Sequence, residues 1–205
     1  MIRVLVVDDH PAVRAGLFSL LRSEPGIVAV AAVGTAAEAL AESGRSRPDV
    51  VLLDYDLPDR DGLLLCCDLK ALPEPPRVLL YSAFARPRLA PAARVAGVDA
   101  MLDKGAAPDE LFETLRKVAR GGLEQLPAPP DVIGRCVGEL PPDDIPLFGM
   151  AMNGTPTAEI AAVAGDDLPA TRSRLRALVK RLGTPRRAAP ASDTGDSPPP
   201  RPRSV

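Results

Sequence analysis

The sequence predicts an α/β fold, a doubly wound five-stranded parallel sheet followed by a small all-α unit. Three observations predict it. From residue 2 to about residue 120, short apolar runs alternate with segments of helical periodicity. Acidic residues close two of those runs: Asp8-Asp9 after Val4–Val7, and Asp54 after Val50–Leu53. From residue 140 to residue 183 the pattern is helical throughout.

The expected strands are residues 3–7, 27–33, 49–53, 77–82 and 99–102. After the first strand, Val13, Leu17, Leu20 and Leu21 recur at helical spacing, and Pro11 suits the first turn. Thr35 is a candidate cap for a helix over 36–41. Pro108 opens another helix, with Leu111, Leu115 and Val118 on one face, and Gly121-Gly122 stops it. Strands alternating with helices imply a parallel sheet. In the order 2-1-3-4-5, strands 1 and 3 flank the topological switch point, where such sheets place their sites. The expected organisation is an α/β domain over 1–120, a Pro- and Gly-containing linker over 121–139, a helical unit over 140–183 and a tail over 184–205. The tail holds six Pro and four Arg without an aromatic residue, and is expected to be disordered.

Composition narrows the function classes. Net charge is −2 over 205 residues, so any basic patch must be local. Cys66, Cys67 and Cys136 form no CxxC pair and no secreted-type framework; they are expected to be reduced and partly buried. Adjacent Cys66 and Cys67 are not expected to face one core from a helix. The short apolar run at the N-terminus leads straight into Asp8-Asp9, unlike a signal peptide, and no stretch approaches the ~20 apolar residues of a membrane span. The expectation is a soluble, cytoplasmic chain without a membrane partner.

Asp8, Asp9 and Asp54 would meet at one edge of the sheet. Close carboxylates raise one another's pKa unless something neutralises them. A hard divalent cation such as Mg²⁺ does so with oxygen ligands. A carboxylate beside it is then a candidate phosphoryl acceptor. Ser82 ends the fourth strand and Lys104 follows the fifth, so both project to the same edge. An ammonium binds a phosphoryl oxygen as a point charge, and a hydroxyl donates to another.

These residues resemble a two-component response regulator. VLVVDDHPAVRAGL (4–17) is similar to the family's first strand and helix. VVLLDYDLPDRDG (50–62) is similar to its phosphorylation loop, and the likeness continues through AGVDAMLDKG (96–105). The resemblance implies a flavodoxin-like receiver with Asp54 as phospho-acceptor. It implies Asp9 as a direct Mg²⁺ ligand, Asp8 assisting through water, and the backbone carbonyl of Asp56 as a further ligand. Ser82 and Lys104 would bind the phosphoryl group, and the donor would be a phosphohistidine on a cognate histidine kinase. His10, the sole histidine, is read as loop packing. Met101 stands where the family usually carries Tyr or Phe as a switch. Residues 85–97 should hold the fourth helix, with Pro87 in its first turn and Pro91 shortening it or costing ~3 kcal/mol.

In the helical unit charge is segregated. Residues 140–168 carry five acids and no Lys or Arg, whereas 171–187 carry seven Lys or Arg and no acid. On a helix from about Ala170, Leu175, Leu178, Val179 and Leu182 form the buried stripe. Arg172, Ser173, Arg174, Arg176 and Lys180 are the candidate DNA-binding residues, with cations for phosphates and small residues for close approach to a groove. Thr157 is a candidate cap for the helix before it, and Gly165 its stop. AEIAAVAG (158–165) and PATRSRLRALVKRLG (169–183) resemble the LuxR-type (NarL/FixJ) helix-turn-helix, with Asp166-Asp167 added at the turn and Pro146 inside the expected first helix.

The expected function is a phosphorylation-controlled transcription regulator, not an enzyme, that binds double-stranded DNA and pairs into a homodimer when active. One alternative is a receiver with protein-binding or phosphorylation-independent output. A second is a haloacid-dehalogenase-like phosphatase, since Asp54-Tyr55-Asp56 resembles the DxD nucleophile motif. That motif continues with Thr or Val where this chain has Pro58, and its second acid pair follows the lysine.

Overall fold

A computed structural model describes residues 1–83, 87–122 and 128–183. The elements in order are β1 (Ile2–Val7), α1 (Pro11–Ser23), β2 (Ile27–Val33), α2 (Ala36–Ser46), β3 (Val50–Leu53), α3 (Gly62–Leu69), β4 (Arg77–Ser82), α4 (Ala90–Ala96), β5 (Ala100–Asp103) and α5 (Pro108–Ala119). Then come α6 (Pro130–Glu139), a 3₁₀ turn (Pro142–Asp144), α7 (Ile145–Met152), α8 (Thr157–Ala164) and α9 (Leu168–Gly183).

The five strands form one parallel sheet, as the strand–helix alternation predicts, and their order is β2-β1-β3-β4-β5. The central strand β3 is apolar at every position, and β1 and β4 are apolar through their middles, because helices cover both faces. Alternate residues point to opposite sides. Val4, Val6 and Leu52 join Leu17, Leu21, Leu111 and Leu115 of α1 and α5, whereas Leu5, Val7 and Leu53 join α2, α3 and α4.

The helix ends follow local chemistry. Thr35 Oγ1 accepts from Glu38 N at 3.2 Å while Glu38 reaches back to Gly34 N, so the Thr35 cap holds and α2 runs on to Ser46. α4 begins only at Ala90 and spans seven residues, so Pro91 rather than Pro87 sits in its first turn, where proline is tolerated. Pro87 lies in the turn before it, and residues 85 and 86 of the expected helix lie outside the described residues.

Three expectations need correction. The segment read as a linker contains α6, whose Val132 is buried. Pro129 and Pro130 start this helix, and proline is tolerated there because first-turn N–H groups lack intrahelical partners. Thr157 is the first helical residue of α8, after Pro156, and its side chain makes no capping bond. Cys66 and Cys67 both pack into one hydrophobic cluster. That is possible because α3 is covered on two sides, by the sheet and by α9. The tail expected to be disordered lies outside the described residues.

The second helical unit is not separate from the sheet. α9 packs on α4 and α3, and α7 packs on α4. Leu175, Leu178 and Val179 of α9 share a single buried cluster with Leu63, Leu65, Ala92 and Ala96. The apolar stripe expected on α9 is therefore present, with Leu182 half-buried beside it.

Candidate functional site

Register brings the acids together. Val7 is aligned with Leu53, so Asp8 and Asp54 occupy equivalent positions one step past two adjacent strands. Asp54 N donates to Val7 O at 2.8 Å, which extends the ladder to Asp54 itself. Asp8 and Asp54 are buried. Ser82, which ends β4, is fully buried, and Lys104 N donates to Ser82 O.

Lys104 spans the pocket. Its Nζ donates to Asp8 Oδ2 at 2.6 Å and to Asp54 Oδ2 at 2.7 Å. Burial pushes the Asp54 carboxyl up from its ordinary pKa, the Lys104 bonds oppose that without reversing it, and the Asp8 charge adds to it. Burial works against the Lys104 charge, yet its bonds to Asp54 and Asp8 outweigh that and hold the ammonium above its ordinary pKa.

Asp8, Asp9, Asp54 and His10 place one ligand atom each within 4.8 Å of one another. Asp9 Oδ1 is buried and makes no hydrogen bond. His10 Nδ1 lies against it, while His10 N donates to Asp8 Oδ1 at 2.8 Å. The His10 side chain is exposed and belongs to the acid cluster rather than to loop packing. A cluster of carboxylate oxygens, one of them met only by the His10 ring, is a donor set that fits a hard divalent cation. Met101 is half-buried on β5, three residues before Lys104, and packs against the cluster shared with α9.

The loop after β3 carries residues that sequence reading missed. Tyr55 N donates to Asp54 Oδ1 at 2.7 Å, and Tyr55 OH donates to Gly183 O at 2.9 Å. Asp59 accepts from Ala36 N and Ala37 N at the start of α2. Asp61 caps α3 through Leu63 N at 2.7 Å. Gly62 has no room for a side chain: a Cβ there would lie 2.3 Å from Asp54 O. Asp56 is exposed in this loop and bridges to Asp61.

The five candidate DNA-binding residues all lie on α9, in two groups. Arg172, Ser173 and Lys180 are on its exposed side, with Ala177 and Arg181. Arg174 is held inside the chain by Asp144 at 2.8 Å and Asp166 at 2.7 Å. Arg176 pairs with Asp68 of α3, which also receives Arg60. The added turn residues have local roles: Asp167 Oδ1 accepts from Ala170 N, which caps α9, and Asp166 holds Arg174.

Residues 4–116 match the family model of the response regulator receiver domain. The chain is 36% identical over 121 residues to the DNA-binding transcriptional activator DevR/DosR of Mycobacterium tuberculosis, covering 59% of this chain and 56% of that protein. It is 37% identical over 127 residues to the transcriptional regulatory protein UhpA of Escherichia coli, covering 62% of this chain and 63% of that protein. It thus spans less than two thirds of either relative. Among solved structures, a LuxR-family two-component response regulator from Aurantimonas sp. matches with a TM-score of 0.57 and 28% identity, over 67% of this chain and 96% of that one. The RcsB response regulator of Salmonella typhimurium matches over 89% of this chain and 92% of its own, with a TM-score of 0.55; at 18% identity that likeness is one of fold. The matched span is the sheet that carries Asp8, Asp54 and Lys104 on its edge, and the chain belongs to the response regulator receiver family.

Proposed function

We propose that the chain is a phosphorylation-controlled, DNA-binding regulator of a two-component system that accepts a phosphoryl group on Asp54. The observation that carries this reading is the buried Asp54 carboxylate, held by Lys104 beside Asp8 and Asp9 at the sheet edge. The names of the relatives support the output: one is a DNA-binding transcriptional activator and the other a transcriptional regulatory protein. On this reading 1–120 is the receiver and 140–183 the DNA-binding unit, with α6 between them.

In the proposed reaction a phosphohistidine of a partner kinase is the donor. The P–N bond breaks as a P–O bond forms to an Asp54 carboxylate oxygen, and imidazole leaves. Asp8, Asp9, Asp54 and the carbonyl of Asp56 would hold Mg²⁺. Bound there, it would neutralise charge on the phosphoryl oxygens. Lys104 leaves its contact with Asp54 to bind one phosphoryl oxygen, and the Ser82 hydroxyl donates to another. Asp54 is an acceptor in this account rather than the nucleophile of a turnover phosphatase.

Arg172, Ser173 and Lys180 would meet DNA first, because they are exposed, whereas Arg174 and Arg176 must leave Asp144, Asp166 and Asp68. Two chains would then pair and set two α9 helices into successive major grooves. Those same pairings favour a second reading, in which α9 stays docked and the output is protein binding. DNA-site selection with the full chain, with and without fluoroberyllate, separates them. An enriched site whose affinity rises with fluoroberyllate and falls with salt supports the first reading. The absence of any enriched site in both states refutes it.

A further inference from the structure

One residue, Tyr55, bonds both to Asp54 and to α9. Tyr55 follows the acceptor directly. Its N–H donates to Asp54 Oδ1 at 2.7 Å, a charge-assisted bond. Its ring packs against the cluster shared by α3, α4 and α9. Its hydroxyl donates to Gly183 O at 2.9 Å, across 128 residues of chain. Gly183 is itself buried, against Leu63 and Ala92. Burial, then the charge of Asp61 and a hydrogen bond between Asp61 and the hydroxyl, hold the phenol well above its ordinary pKa, so the O–H that reaches Gly183 also lies beside the Asp61 carboxylate.

The surrounding loop has no slack. Gly62 N donates to Tyr55 O at 2.8 Å. The start of α3 is pressed so closely on Asp54 and Tyr55 that even a methyl group at position 62 would collide with their carbonyls. Asp68, farther along α3, accepts from Arg60 of the same loop and from Arg176 of α9. A displacement of the loop therefore reaches α9 by two routes on one side of the sheet. Met101, on β5, touches the same cluster, but its thioether offers only a weak acceptor.

We propose that Tyr55 is the positioning residue that couples phosphorylation of Asp54 to release of α9, its N–H reading the acceptor and its hydroxyl holding the Gly183 carbonyl. This rests on Asp54 being the acceptor. When the P–O bond forms, the Asp54 carboxylate becomes an acyl phosphate. The acyl part is then neutral, and the Tyr55 N–H loses its charged partner. The added phosphoryl charge draws Lys104 away from Asp54. The backbone at 54–55 relaxes, and because Gly62 prevents the loop from absorbing the change, the phenol moves off Gly183. α9 is freed, and Arg176 with it.

The test uses the full chain, wild type and Tyr55→Phe, with hydrogen exchange followed by mass spectrometry, with and without fluoroberyllate and Mg²⁺. In wild type, fluoroberyllate raises exchange in α9. In Tyr55→Phe, exchange of α9 is already faster without fluoroberyllate by about 2- to 10-fold, as expected for loss of one net hydrogen bond, and fluoroberyllate adds little. A purely structural tyrosine would give additive effects of the substitution and of fluoroberyllate; this coupling gives non-additive ones. Met101→Ala should leave the fluoroberyllate response of α9 in place. The chain has two tyrosines, so 3-fluorotyrosine labelling gives two fluorine resonances in the native fold, assigned with Tyr81→Phe. The Tyr55 resonance must shift on fluoroberyllate binding. Wild-type α9 exchange in Tyr55→Phe, or an unmoved Tyr55 resonance in fluoroberyllate-loaded protein, overturns the proposal. If wild type binds no fluoroberyllate, the acceptor reading fails instead, and the ligand-free comparison still decides whether Tyr55 holds α9.

Discussion

Replacing Lys104 with methionine removes one charge and keeps most of the side chain's bulk. In the native pocket the ammonium stands 2.6 Å from Asp8 and 2.7 Å from Asp54. At that spacing and an effective dielectric of about 20, each contact is worth roughly 6 kcal/mol of gross attraction. Desolvation of the three groups offsets most of it. Removing one partner of a buried pair costs about 3–5 kcal/mol. The Lys104 side chain is 20% exposed, so screening places Lys104→Met near the lower end, about 3 kcal/mol at neutral pH in the absence of divalent metal. The loss must also depend on pH. Asp54 is raised by burial in the native state. Between the ordinary carboxyl pKa and the raised native one, the native chain keeps a proton that the unfolded chain releases. This contribution to stability is therefore lost as pH rises through that window, above which Asp54 is ionised in both states. Without Lys104 the Asp54 pKa moves further up. The variant should approach wild type on acidification and fall away toward neutral pH, with a slope difference of up to about 1.4 kcal/mol per pH unit per proton. Urea unfolding in EDTA from about pH 5 to about pH 7 measures both quantities. A variant within about 0.5 kcal/mol of wild type at neutral pH, or a gap that stays constant with pH, would refute the view that Lys104 neutralises the pocket.

Three further outcomes follow from the packing. Leu178→Ala, in the cluster shared by α9 and the sheet, should cost about 2–5 kcal/mol, and urea should unfold the chain in one transition; two separate transitions would show independent units. Gly62→Ala should cost about 1–3 kcal/mol and slow phosphate uptake, because the Asp54 and Tyr55 carbonyls must shift; unchanged stability and uptake would mean the loop has room. Cys67 is pushed up to about 12, by burial first and against the pull of Arg176, so alkylation by iodoacetamide near pH 8 should run about a thousandfold slower than for a free thiol and recover in urea; rapid labelling of the native chain would contradict the packing of α3 under α9.

The receiver sheet was legible in the sequence because its strands are short apolar runs ended by acids, and a residue at a strand end has its place fixed by the register. The helix α3 gave no periodic signal: Leu63, Leu64, Leu65, Cys66 and Cys67 are apolar in succession because the sheet and α9 cover opposite sides of it. The same fact hid the docking of α9. Its cations read as a free basic face, but Arg174 and Arg176 have acidic partners far along the chain, in Asp144 and Asp68, and long-range pairing leaves no local pattern. Prolines concealed α6 because Pro129 and Pro130 are as compatible with a linker as with a helix start. Tyr55 was read only as part of a motif, since its partner Gly183 lies on an element whose placement no spacing rule supplies.

One buried carboxylate, tamed by neighbouring charge, is proposed to carry a transferable group. The decisive experiment is intact-mass analysis of the full chain after incubation with acetyl phosphate and Mg²⁺. Wild type should gain the mass of a single phosphoryl group, lost on hydroxylamine treatment, and Asp54→Asn should gain none. An unmodified wild-type chain, or an equally modified Asp54→Asn chain, would contradict this proposal.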